Sequence, residues 1–205
     1  NSLSKNTKRP TIGTYTIKLQ RGQSYQIGST ASISGTVVKV LSKSKVAVFS
    51  GDRCSSYPCG ACDHQYEQVL PTDVLDTAYC AAPHFGHTNG YYLKLIPLDT
   101  FTNLKVNGVS YNNVSRKSPL VINVKGDSGY YVSGNKLFHC YQFLKGGGCN
   151  GYITSSYGDP AMLDVVSTQH LGQSVLFSTV NSTNLRDHFV SLLTLMHQSA
   201  WCYFD

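Results

Sequence analysis

Twelve short runs of β-branched and aromatic residues follow one another between turn signals, at residues 15–19, 25–27, 36–41, 46–49, 91–96, 104–106, 120–124, 130–132, 137–143, 152–154, 163–167 and 175–180. No helical pattern is interposed between them, so a parallel α/β sheet is excluded and a sandwich or a pair of barrels is expected. The acidic residues point the same way. They are ten Asp and the single Glu67, and Ser, Thr, Val, Tyr and Gly are abundant, which starves helices and suits pleated strands.

Twelve strands divide evenly, and the turn-rich stretch 100–119 can join two halves. The expected organisation is all-β: an N-terminal six-stranded antiparallel barrel over residues 1–115, opening with a polar arm over 1–10, and a second over 116–180. A C-terminal helix is expected over 181–205, where Leu185, Phe189, Leu192, Leu193 and Met196 recur at helical steps behind the candidate caps Ser182, Thr183 and Asn184.

With 205 residues, 41% of them apolar and only 14% charged, the chain is long enough to bury a core and is not disordered. The net charge of +6 is spread thinly, and no stripe of Arg and Lys interleaved with aromatics argues for nucleic acid. The apolar stretch 189–196 is broken well short of the roughly 18 residues a bilayer crossing needs. Seven cysteines cannot all pair within the chain. With no signal sequence read at its start, a reducing compartment is expected. Asn113-Val-Ser and Asn181-Ser-Thr fit the glycosylation pattern.

The stretch Lys145-Gly-Gly-Gly-Cys149-Asn150-Gly151 is the most informative for chemistry. Three glycines can turn successive backbone amides toward one point, so Gly147, Gly148 and Cys149 could form an oxyanion hole beside a nucleophilic thiol. Further on comes a run ending in Gln169-His170-Leu171-Gly172. Together the two motifs resemble the viral 3C-like proteases, chymotrypsin-fold cysteine enzymes of picornaviruses and nidoviruses, with Asn150 as a departure where Gly is usual.

The resemblance implies two chymotrypsin-like barrels with the active site in the cleft between them. Cys149 would be the nucleophile and His64, after Cys62 and Asp63, the general base, with His84 and His87 as competitors. No carboxylate occupies the segment matching the third catalytic member, which leaves a Cys/His dyad as in the nidovirus main proteases, with Asp76 and Asp99 as substitutes. His170, with Thr168, Leu144 and Tyr141 as neighbours, would read Gln or Glu before the scissile bond. The implied function is a cysteine endopeptidase that processes a viral polyprotein in the host cytoplasm, with no cofactor and no bound metal. Homodimerisation is left open.

Other readings stand beside it. Gly126-Asp127-Ser128-Gly129 copies the nucleophile tetrad of trypsin-like serine proteases. Cys54, Cys59, Cys62 and His64 offer four ligands for a structural zinc in a binding module. A secreted or virion-surface β-sandwich would use its Tyr-rich strands for receptor contact.

Overall fold

The computed structural model describes residues 13–29, 33–55, 62–151, 158–179 and 189–194. The chain divides into two compact units, Asn1–Ile33 and Ser34–Asp205. In the first, a turn at Arg21 and Gly22 is closed by Gln23 N–H donating to the Gln20 carbonyl at 3.0 Å and Gln20 N–H donating to Gln23 Oε1 at 2.9 Å. The runs at 15–19 and 25–27 form no strand there, and Ile17, Leu19 and Ile27 are exposed.

The second unit carries all the strands among the described residues. β1 (Phe49–Ser55) and β2 (Asp63–Gln68) form a two-stranded antiparallel ribbon. β3 (Asp76–Ala81), β4 (Tyr91–Pro97), β5 (Thr102–Val106), β6 (Val109–Val114), β7 (Leu120–Val124), β8 (Tyr130–Leu144) and β9 (Met162–Asp164) form one curled antiparallel sheet. Its order is β6-β5-β8-β4-β7, with β3 and β9 also paired to β8.

Period-two alternation explains the core. Tyr91, Leu93, Leu95 and Pro97 of β4 and Thr102, Leu104 and Val106 of β5 point inward, while their sequence neighbours are more exposed. Each fully buried Leu contributes about 1.5–3 kcal/mol of transfer free energy. Tyr79 pins β3 to β8: its hydroxyl donates to the Phe138 carbonyl at 2.5 Å and accepts from Asp76 N–H at 2.9 Å, and burial pushes its pKa up to about 12.

The long strand β8 organises the sheet. Residues 130–134 lie between β3 and β5, whereas residues 138–144 lie between β4 and β9. The change of partner occurs just past Gly134, where an added Cβ would stand 2.8 Å from Leu104 Cδ2 and 3.0 Å from Phe138 Cε1. Glycine lets those two side chains close over the strand without either having to shift.

The mostly antiparallel β class is as expected. Two six-stranded barrels are not what the described residues form: strands from both sides of residue 115 share one sheet, β4 lying between β7 and β8. Runs 130–132 and 137–143, read as two strands, are one strand with four partners, and non-local pairing of that kind leaves no mark on local periodicity. The expected C-terminal helix is absent at the described residues 189–194. There Phe189 stacks on Phe85 with ring centroids 4.2 Å apart and Ser191 Oγ donates to the Pro83 carbonyl at 3.3 Å, so tertiary contacts take the place of helical bonds. Residues 181–188 and 195–205, and the polar arm 1–10, lie outside the described residues.

Candidate functional site

The glycine-rich loop at residues 145–151 follows the end of β8 and is clasped by the loop that leads into β4. Thr88 Oγ1 donates to the Gly151 carbonyl at 2.9 Å, Asn89 Nδ2 to the Cys149 carbonyl at 3.0 Å, and Asn89 N–H to the Asn150 carbonyl at 3.0 Å. The Lys145 amine, largely out of water, donates to the Asn89 carbonyl at 2.5 Å and to Asn123 Oδ1 at 2.9 Å, and lies 5.0 Å from the centre of the Tyr92 ring. Burial, then the nearby charge of Lys125, lowers its pKa. These groups, with Gly126, line an open hollow of about 360 Å³.

This loop does not present a free thiol. Cys149 is disulfide-bonded. Two of the three amides read as oxyanion donors already have acceptors: Gly147 N–H donates to the Gly158 carbonyl at 2.6 Å and Cys149 N–H to the Gly146 carbonyl at 3.2 Å. Gly148 sits between them, exposed in the same turn.

The other singled-out residues are dispersed. His64 is exposed on β2 and is not among the residues lining the hollow. Thr168 and His170 belong to a short 3-10 turn beside β3, where Thr168 Oγ1 donates to the Ala78 carbonyl at 3.4 Å and His170 Nδ1 lies 2.8 Å from Ser167 Oγ. Leu144 is buried at the end of β8, its N–H donating to the Ala161 carbonyl at 2.8 Å. Ser128 lies in an exposed turn, and its carbonyl accepts from the Tyr91 hydroxyl at 3.2 Å. Asp76 is buried on β3, with Oδ1 accepting from Thr77 N–H and from Gln169 Nε2. His84 and His87 pack against each other with ring centroids 5.6 Å apart, and burial lowers the pKa of both.

What the described residues do assemble is an aromatic face on the β1–β2 ribbon. The Phe49 and Tyr66 rings are nearly parallel, 3° apart in plane with centroids at 5.3 Å, and the His64 ring continues the stack 5.9 Å from Tyr66. Tyr66 is 59% exposed and Phe49 48%. His64 and Tyr66 share a face because they are two residues apart on one strand. Across from Tyr66 stands Gly51, whose position leaves no room for a side chain, since an added Cβ would run into the β2 backbone at Gln65.

The ribbon is held at both ends. A disulfide joins Cys54 to Cys62 next to the Ser55–Asp63 pair. At the other end Val69 N–H donates to the Val48 carbonyl at 2.9 Å and Leu70 N–H to Asp164 Oδ2 at 3.1 Å, tying the ribbon to β9. Exposed rings on a fixed ribbon present area to a partner at little cost in side-chain freedom. Sequence reasoning missed this face. Phe49 stood at the end of a run and Tyr66 inside the polar hexapeptide of β2, and only the cross-strand register brings them together.

A family model described as IgGFc binding protein matches residues 2–200, nearly the whole chain. The chain belongs to that family. No curated protein and no solved structure matches it. Membership overturns the resemblance to viral 3C-like proteases and with it the cysteine endopeptidase and the polyprotein substrate. The family's description names a binding protein, not a protease. The motifs behind the resemblance were short, and a glycine run before a cysteine is also what a tight, disulfide-anchored turn requires.

The cytoplasmic placement is corrected too. The family match stands against it, and a Cys54–Cys62 disulfide, with Cys149 also bonded, is the chemistry of an oxidising compartment. That disulfide removes Cys54 and Cys62 from the zinc ligand set, and Cys59 lies outside the described residues. No group of three or more His, Cys, Asp or Glu among the described residues is placed to hold a metal ion.

Proposed function

We propose that this chain is a protein-recognition module that binds the Fc part of immunoglobulin G, with the Phe49–Tyr66–His64 face of the β1–β2 ribbon as its contact surface. The family match over residues 2–200 carries the choice of ligand. The exposed stack supports the choice of surface, because aromatic anchors supply most of the energy in protein interfaces while the polar residues around them exclude water. On this reading Gly147, Gly148 and Cys149 shape a braced turn beside the Lys145 hollow and take no part in covalent chemistry.

The test is titration of the chain over immobilised Fc and, separately, Fab. Saturable binding to Fc and none to Fab is expected. Tyr66→Ala, a change at an exposed position that leaves the core intact, is expected to weaken binding by about 2 kcal/mol, roughly thirtyfold. Absence of Fc binding by the unaltered chain rejects the ligand. Unchanged affinity in Tyr66→Ala rejects the surface.

A further inference from the structure

The sequon Asn113-Val114-Ser115 falls where β6 ends. β6 is the last strand at one end of the sheet order, and among the described residues it pairs only with β5. Between the pairs Thr102–Val114 and Leu104–Tyr111 the register shifts, so that Asn103 alone faces both Asn112 and Asn113, a β-bulge. Asn113 takes the left-handed conformation there, with φ 59°, which Asn tolerates better than most residues. Its backbone N–H donates to Asn103 Oδ1 at 3.1 Å.

The residue itself is exposed, and no hydrogen bond among the described residues engages its carboxamide. Val114 is buried and anchors the strand end, while Ser115 Oγ accepts from Ser118 N–H at 3.3 Å in the turn that follows. A large polar group on Asn113 Nδ2 would therefore displace no core side chain and would stand at the rim of an open strand edge. The disulfides place the chain in the oxidising route along which such sequons are modified.

We infer that Asn113 carries an N-linked glycan and that this glycan covers the free edge of β6. In the transfer, Asn113 Nδ2 forms a bond to the anomeric carbon of a lipid-pyrophosphate-linked oligosaccharide. The bond from that carbon to the pyrophosphate oxygen breaks, the lipid pyrophosphate leaves with the electron pair, and one amide proton passes to a base. An unpaired edge strand is a template for pairing with another chain, and a bulky hydrated group at its bulge opposes that pairing.

The test is secretion of the chain from cultured animal cells, then mass spectrometry of the peptide that holds Asn113 before and after peptide N-glycosidase. A glycan-bearing peptide that the enzyme converts to the Asp form is expected. Ser115→Ala, which keeps Asn113 and its bulge, is expected to lose that glycan while the protein still unfolds cooperatively. Enzymatic removal from the folded protein is expected to shift sedimentation toward dimers and larger species. An unmodified Asn113 peptide, whether or not Asn181 is occupied, would overturn the site. An unchanged sedimentation profile would overturn the covering role.

Discussion

Burying a lysine amine removes it from water, and Lys145 is tolerated because the Asn89 carbonyl and Asn123 Oδ1 replace the lost hydration. Lys145→Met keeps the stem but gives up both hydrogen bonds beside an open hollow, and it is expected to lower stability by about 1 kcal/mol in urea unfolding. His84 and His87 respond to pH instead. Their pKa values lie below the ordinary 6.5 in the folded chain, chiefly through burial and, for His87, also through the neighbouring His84. The unfolded chain therefore binds protons first as pH falls. Their contribution is complete above about pH 6.5 and lost below it, so the urea midpoint is expected to drop between pH 7.5 and 5.5. His87→Gln is expected to flatten that dependence. A midpoint that stays level in the unaltered chain would contradict the burial of these rings.

At the scale of elements, the ribbon depends on its disulfide and the sheet on the change of partner along β8. Opening the Cys54–Cys62 loop by Cys54→Ala with Cys62→Ala removes a constraint worth about 2–3 kcal/mol by loop-closure entropy. Faster amide exchange across residues 49–55 and 62–68 is expected, with β4 and β8 protected as before. Gly134→Val pushes a branched side chain against Leu104 and Phe138 and is expected to cost about 1–3 kcal/mol in denaturant unfolding.

The strands legible in the sequence are those with one face in the core. β4, β5 and β7 alternate or run apolar, and the residues 91–96, 104–106 and 120–124 read as strands all lie within them. β2, with the sequence Asp-His-Gln-Tyr-Glu-Gln, and β6, with two adjacent Asn, were illegible because neither has a continuous buried face and their β structure comes from partners rather than from composition. The runs at 36–41 and 175–180 failed for the opposite reason: branched residues such as Val38 and Val175 are exposed, and none of the described residues in these runs belongs to a strand.

For the whole molecule, the candidate site was less legible than the fold class. The loop at 145–151 was found by its glycines, but its chemistry was misread, because a cysteine in sequence carries no sign of whether it is a thiol or half of a disulfide. The ribbon face depends on a ring contact between residues 17 apart, Phe49 and Tyr66, diagonal across the two strands, which no local pattern encodes. Family membership supports the proposed class of function, and the exposed stack supports its proposed location. Hydrogen exchange of the chain with and without saturating Fc tests both at once. Added protection concentrated in residues 49–55 and 62–68 is expected. Protection confined to other strands, with those two segments exchanging as in the free chain, would contradict it.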